Sequence, residues 1–147
     1  MKILFDTSTL IAAMVETHPA YELVFPWLQR IQHTDDVGFV ATHSLAELYA
    51  ILTKLPISPR ISPTLAYRLI QQNVLNLCTI ISLTSKDYEA VLQHLAETGL
   101  SGGITYDALI LYAAIKAHAD HIVTLNEKDF RRIYPELQDK IISPFTK

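Results

Sequence analysis

The amino-acid sequence predicts a three-layer α/β/α sandwich with a central, mainly parallel sheet. Short apolar segments of strand length alternate along the chain with longer amphipathic segments of helical length. The short segments are not broken by alternating polar residues, which indicates strands that are buried on both faces. The connections between them are long enough for the crossovers that parallel strands require.

Five segments are predicted strands because each is rich in Ile, Val or Phe, namely 2–5, 37–41, 79–83, 121–125 and 140–142. Seven intervening segments are predicted helices, namely 8–16, 20–32, 44–55, 63–76, 85–97, 106–118 and 127–134. Three prolines make segment 56–63 the clearest loop, and segment 99–103, with three glycines, is a second break. Neither break is long enough for a domain linker, so residues 1–147 form one predicted domain.

Composition supports a folded protein and excludes several classes. Of 147 residues, 50% are hydrophobic, 18% are charged and only four are glycine, which excludes a disordered or collagen-like chain. The net charge of −3 is too balanced for binding nucleic acid through a broad basic face. Any contact with a polyanion is therefore expected to be local.

The single cysteine and the hydropathy pattern indicate the compartment. Cys78 is the only cysteine, which excludes an intramolecular disulfide framework and a multi-cysteine zinc site; we expect a buried structural thiol. The longest strongly apolar run, 108–115, is far shorter than the roughly 20 residues that span a membrane. Asp6 interrupts the apolar N-terminal stretch, so no signal peptide is expected. A soluble, cytoplasmic protein without a membrane partner is predicted.

Two carboxylates lie where a parallel sheet would place a binding site. Asp6 directly follows the first predicted strand, and ligands of doubly wound sheets bind outside the carboxyl ends of strands. Alternatively, Asp6, with Thr7 or Ser8, caps the next helix. Glu47 has almost entirely apolar neighbours and therefore no clear solvent face, although Ser44 and Glu47 also have the spacing of a capping box.

Further polar residues begin the two last long helices. Asp107 opens a helix that is apolar all round, where an unpaired carboxylate is costly unless it binds a partner or a metal. Its alternative role is a favourable interaction with the helix dipole after a Thr105 cap. Asn126 follows the strand 121–125 and Asp129 lies one turn later, a pair that could also be helix capping.

Together these oxygen donors predict a site for Mg²⁺ or Mn²⁺ rather than for zinc, since the sequence has neither a thiolate cluster nor a spaced histidine pair. His43 is either a substrate contact near Glu47 or a polar residue of the helix cap. His118 and His121 flank a predicted helix–strand turn and are expected to be exposed.

Four motifs, in order and spread over essentially the whole chain, resemble the PIN domain, in the branch of VapC-type toxins. They are FDTSTL at 5–10, AEL at 46–48, YDALI at 106–110 and TLNEKDF at 124–130. The resemblance implies a parallel sheet with helices on both faces and metal-dependent ribonuclease activity that leaves 5′-phosphate and 3′-hydroxyl ends. It further implies an RNA substrate, an antitoxin partner and a homodimer.

Matched residue by residue, Asp6, Glu47 and Asp107 take the family's three acidic positions, with Asp6 and Asp107 as the direct metal ligands. The fourth position, Asp or Asn in the family, falls on Asn126, a neutral ligand that removes one charge unless Asp129 contributes. Glu47 is expected to position a second metal or to accept the water proton, and Asn126 or Asp129 to orient the water. Candidate phosphate contacts are Lys54, Arg60, Lys128, Arg131 and Arg132. The alternative role for each of them is to keep the surface soluble.

Several alternatives stay open at this point. The closest is a nuclease that processes RNA outside a toxin system, and a second is a degenerate scaffold used only for protein contact. A phospho-acceptor receiver domain would need adjacent acids after the first strand and a lysine late in the sheet, where Asn126 stands. A haloacid-dehalogenase-type phosphatase needs a second Asp where the chain has Ser8.

Overall fold

A computed structural model describes residues 1–145. The elements in chain order are β1 (Lys2–Phe5), α1 (Thr7–Met14), α2 (Tyr21–His33), β2 (Val37–Ala41), α3 (Thr42–Leu52), α4 (Pro63–Ile70), β3 (Cys78–Ile81), α5 (Ser85–Thr98), α6 (Ile104–Lys116), β4 (His121–Val123), α7 (Glu127–Ile133) and β5 (Ile141–Ile142). A π-helical turn, Gln71–Leu75, extends α4, and a 3₁₀ segment, Pro135–Lys140, connects α7 to β5.

The five strands form one sheet in the order β3-β2-β1-β4-β5, and each neighbouring pair is parallel. In the central register, Leu4 of β1 lies between Phe39 of β2 and Ile122 of β4. The chain runs from β1 outward to β3 on one side and then returns to place β4 on the other side of β1. The carboxyl ends of β1 and β4 therefore flank a topological switch point. Open α/β sheets bind ligands at such a point.

Two apolar clusters, one on each face of the sheet, confirm the three-layer sandwich. Alternation along β1 directs Ile3 and Phe5 to one cluster and Leu4 to the other. The first cluster is closed by buried residues of α1, α2, α3 and α4. The second is closed by α5, α6 and α7.

Element boundaries differ from the sequence prediction where tertiary contacts intervene. Predicted strand 121–125 ends at Val123, because the backbone N–H of Leu125 turns to the hydroxyl of Ser8. Helix α3 begins directly after β2, at Thr42, whose hydroxyl donates to the Ile81 carbonyl of the neighbouring strand. The predicted break after α5 is present, with Gly99 in the left-handed conformation that ends this helix.

Cys78 is half-buried at the start of β3, and burial raises the pKa of its thiol to about 12. Gly38 of β2 lies opposite, and a Cβ at this position would come within 2.9 Å of the Cys78 sulfur. The two strands thus approach closely because residue 38 has no side chain. Within residues 1–145, no helix combines the length and the apolar character that crossing a membrane would require.

Candidate functional site

Asp6 ends β1 and is held in one orientation by a set of hydrogen bonds. Its side chain is 3% exposed and accepts from the backbone N–H of Thr9 at 2.9 Å, so it caps α1 as one alternative predicted. It also accepts from the hydroxyls of Thr124 at 2.6 Å and Ser8 at 2.8 Å. Burial raises the pKa of Asp6, and these hydrogen bonds act against that effect. Asp6 can therefore cap α1 and belong to a polar site at the same time.

Glu47 lies on α3 and is fixed by the residue that follows Asp6. The hydroxyl of Thr7 donates to Glu47 Oε1 at 2.8 Å, and the buried Ser44 hydroxyl lies 3.0 Å from that of Thr7. The capping-box alternative for Ser44 and Glu47 is wrong, because α3 begins at Thr42 and Ser44 lies inside the helix. Glu47 instead joins α3 to the first turn of α1.

Asp107 lies in the first turn of α6, close enough to three other carboxylates to respond to their charges. Its pKa is raised to about 7, first by burial and then by repulsion from Asp6, Asp129 and Glu47. The predicted Thr105 cap is wrong, because Thr105 donates its hydroxyl to the Gly102 carbonyl and α6 begins at Ile104.

Asn126 connects two of these carboxylates. Its side-chain NH₂ donates to Asp107 Oδ2 at 3.3 Å and to Asp129 Oδ2 at 3.2 Å. The residue occupies the N-cap position of α7, but its side chain is directed to the acids, so the capping alternative for Asn126 is wrong. One neutral amide thus partly offsets the repulsion around Asp107.

One cleft of about 190 Å³ at the carboxyl edge of the sheet collects most of the predicted site residues. It is lined by Asp6, Thr7, Ser8, Glu47, Ile51, Asp107, Ile110 and Asn126. Asp129 lies in a neighbouring depression with Arg132, whose guanidinium is 3.5 Å from the Asp129 carboxylate. Asp129 therefore belongs to the border of the cleft and reaches it through Asn126.

The hydroxyls that orient these acids were not among the residues predicted from the sequence. Thr7 holds Glu47, while Ser8 and Thr124 hold Asp6. The available signal was position, since Thr7 and Ser8 directly follow Asp6 at the end of β1 and Thr124 directly follows β4. Their hydroxyls meet the acids because β1 and β4 are neighbours in the sheet.

The cleft presents oxygen donors of the kind that a magnesium-like cation takes. Among residues 1–145, no three His, Cys, Asp or Glu side chains are placed to bind one ion together. Mg²⁺ is commonly bound through one or two carboxylates, with waters and substrate phosphates as the other ligands. Asp6 and Asp107, which repel each other across the cleft, provide such a pair.

Basic and histidine side chains divide into structural and accessible groups. Arg131 donates to the carbonyls of Gln138 and Ile141, which ties it to the segment before β5 rather than to the cleft. The other candidate phosphate contacts, Lys54, Arg60, Lys128 and Arg132, are exposed or half-exposed. His118 is exposed as predicted, whereas the prediction for His121 is wrong, because it begins β4 and is half-buried.

Comparison with known proteins places this geometry in a family. A family model described as the PIN domain matches residues 3–135. Ribonuclease VapC27 of Mycobacterium tuberculosis (strain ATCC 25618 / H37Rv) is 33% identical over 126 residues, which are 86% of this chain and 83% of that protein. Ribonuclease VapC40 of M. tuberculosis (strain CDC 1551 / Oshkosh) is 32% identical over 114 residues, 78% of this chain and 79% of its own.

Solved structures share the fold at lower identity. VapBC-1 from nontypeable Haemophilus influenzae matches with a TM-score of 0.70 and 19% identity, covering 99% of this chain and 100% of the other. VapBC2 from Rickettsia felis, bound to a DNA fragment from their promoter, matches with a TM-score of 0.68 and 22% identity, covering 97% and 98%. The chain therefore belongs to the PIN domain family, in its VapC-type branch.

Proposed function

We propose that this protein is a divalent-metal-dependent endoribonuclease that hydrolyses RNA phosphodiester bonds. The observation that carries the proposal is the meeting of Asp6, Glu47, Asp107 and Asn126, which come from four separate parts of the chain, in one cleft at the switch point of the sheet. The names of the two curated relatives, both ribonucleases, support this reaction class.

We give each residue of the cleft a role that its contacts support. Asp6 and Asp107 would hold Mg²⁺ or Mn²⁺, which when bound polarises the phosphate and lowers the pKa of a coordinated water. Glu47, whose carboxylate is fixed by Thr7, accepts the proton of the attacking water. Asn126 keeps Asp107 and Asp129 in place through its amide. Attack on phosphorus breaks the bond to the 3′ oxygen, so the products carry 5′-phosphate and 3′-hydroxyl ends.

The biological role that we propose is the toxin of a toxin–antitoxin pair, acting in the cytoplasm. Its support is the similarity to VapC proteins and to structures described as VapBC complexes. By the same similarity we infer an antitoxin partner and a homodimer. An RNA-processing nuclease outside such a pair would use the same cleft, whereas the meeting of Asp6, Glu47 and Asp107 in that cleft argues against an inactive scaffold.

Cleavage of structured RNA tests the reaction and its metal requirement. We expect cutting with Mg²⁺ or Mn²⁺ and none in EDTA, and a loss of roughly a hundredfold or more in Asp6→Asn. Asp139→Asn is a matched control. Asp139 is an exposed carboxylate that precedes β5, so it lies toward the amino ends of the strands, opposite the cleft. Full activity in EDTA would refute the metal mechanism.

Growth of a bacterial host tests the role as a toxin. Expression of the chain alone is expected to arrest growth, and so is expression of Asp139→Asn, whereas Asp6→Asn is expected to be harmless. Soluble protein levels must be matched among the three strains. Equal arrest by the wild type and Asp6→Asn would show that toxicity arises elsewhere than in this cleft.

A further inference from the structure

Two aromatic rings stack at the rim of the acidic cleft. The imidazole of His43 on α3 and the phenol of Tyr106 on α6 have ring centroids 4.9 Å apart and planes inclined by 3°. Tyr106 remains 50% exposed although its ring stacks on that of His43. Among residues 1–145, no other ring stacks on Tyr106 and its hydroxyl makes no hydrogen bond.

This stacked pair is continuous with the cleft at both of its members. Tyr106 directly precedes Asp107 in the first turn of α6. His43 lies one turn before Glu47 on α3, with its Nε2 3.6 Å from Glu47 Oε1. On its other side, His43 borders a depression of about 280 Å³ that also contains Tyr88, Ser82 and Thr42. A ligand bound at Glu47 would therefore lie close to the His43 ring.

Packing of α3 against α6 explains the contact between the rings but leaves the exposure of Tyr106 unexplained. A residue needed only to join two helices gains most when its surface is buried. The acidic cleft, in turn, attracts RNA only through a bound cation, since the carboxylates of Asp6, Glu47 and Asp107 themselves repel phosphate. An uncharged contact near the scissile bond would supply affinity that the acids cannot.

We infer that the free face of Tyr106, backed by His43, stacks on a nucleobase of the RNA next to the scissile phosphate. The inference rests on the proposed function and narrows its substrate to RNA that is unpaired at this position. Every base has a face that can stack on an aromatic side chain, whereas bases inside a duplex are covered by their neighbours. Tyr106 is thus a substrate-binding residue that favours loops and single strands without selecting one base.

The test compares binding of two oligomers that differ only in their bases. One is a labelled single-stranded RNA of randomised sequence, about 12 nucleotides long, which is within the site size of one single-strand-binding module. The other is an abasic ribose-phosphate chain of the same length. Fluorescence anisotropy with Ca²⁺ gives a Kd for each. The proteins are the wild type, Tyr106→Leu, Tyr106→Phe and the control Tyr67→Leu, which alters a tyrosine on α4 that is 56% exposed.

The wild type is expected to prefer the RNA over the abasic chain, and stacking of one base on Tyr106 should account for roughly 5- to 150-fold of that preference. Tyr106→Leu should lower the preference by this factor, while Tyr106→Phe and Tyr67→Leu should leave it unchanged. If Tyr106 only maintained the fold, its replacement would weaken the binding of both oligomers equally. Melting curves identify such a loss of structure.

Two results would overturn the inference in different ways. If Tyr106→Leu retains the full preference while the wild type cleaves structured RNA with Mg²⁺, the stacking role is wrong and the proposed function stands. If the wild type neither binds nor cleaves RNA with metal present, the proposed function fails and the stacking role fails with it.

Discussion

Replacing Asp107 with asparagine should stabilise the metal-free protein. The carboxylate is partly buried among Asp6, Asp129 and Glu47, and its pKa is raised from an ordinary 3.8 to about 7. The introduced amide side chain would keep nearly the same volume and an acceptor for the NH₂ of Asn126, but it carries no charge. The variant therefore removes the repulsion while leaving the packing of α6 in place.

The size of the effect follows from the linkage between protonation and folding. Between about pH 4 and pH 7 the folded state binds more protons at Asp107 than the unfolded state, so stability falls as the pH rises through this window. A pKa of about 7 would correspond to roughly 4 kcal/mol above pH 7 for a fully buried group. Because Asp107 is partly exposed, solvent screening reduces this free energy, and we take the stabilisation by Asp107→Asn as about 2 kcal/mol.

Thermal melting measures the result. In EDTA at pH 8, Asp107→Asn is expected to melt roughly 4–8 °C above the wild type, since each kcal/mol moves the midpoint of a domain of this size by about 2–4 °C. At pH 5 the difference should be smaller, because Asp107 binds a proton more readily in the folded state than in the unfolded state. Mg²⁺ at about 100 times its Kd, at matched ionic strength, should raise the wild type by roughly 5–11 °C and the variant by much less.

Asp87→Asn is the matched control. Asp87 is also a first-turn carboxylate, but its pKa is lowered, chiefly by the hydrogen bond from Lys116 at 2.8 Å. Stability from such a group is present at pH 8 and is lost as the pH falls, so Asp87→Asn should melt below the wild type and retain the full Mg²⁺ shift. If Asp107→Asn also melts below the wild type in EDTA at pH 8, Asp107 acts as a partner of the helix dipole and the repulsion argument is refuted.

Three further predictions concern the supporting contacts. Thr124→Val removes the 2.6 Å hydrogen bond to Asp6, so it should lower RNA cleavage and reduce the free energy of unfolding by about 1.5–3 kcal/mol. Unchanged cleavage would argue against an orienting role for Thr124. Gly38→Ala places a Cβ 2.9 Å from the Cys78 sulfur and should lower the free energy of unfolding, measured with denaturant, by about 1–3 kcal/mol. Adding Cys78→Ala should restore most of this stability. If it restores none, the loss arises from other contacts of residue 38. Since burial raises the pKa of the Cys78 thiol to about 12, a colorimetric disulfide reagent at pH 8 should label it only after denaturation, and rapid labelling of the folded protein would contradict this.

Much of the fold could be predicted because its signals are local. The apolar runs of β1 and β2 are bounded by turn-forming or polar residues, and both strands have the predicted limits. Predicted boundaries were wrong where a hydrogen bond to a distant segment took the place of one between sequence neighbours. Ser44 has the sequence signal of a helix start, yet α3 starts earlier, because Thr42 forms its hydrogen bond with the carbonyl of Ile81 on a neighbouring strand.

The site was predictable to a similar degree. Parallel topology brings residues after β1 and β4 to one edge, so the positions of Asp6 and Asn126 followed from the order of elements. Their hydrogen-bond partners did not follow. Whether Thr124 faces Asp6, or His43 faces Tyr106, depends on side-chain directions set by packing between distant segments, for which the local sequence has no signal.

The hydrogen bond between Asp6 and Thr124 joins residues 118 positions apart, and it has a consequence for the order in which the cleft is assembled. During synthesis, β4 and the residues Thr124 and Asn126 that follow it are added long after Asp6. Until β4 pairs with β1, the carboxylate of Asp6 lacks its orienting hydroxyl. A nascent chain therefore cannot orient Asp6 in this way until β4 has been made and has paired with β1.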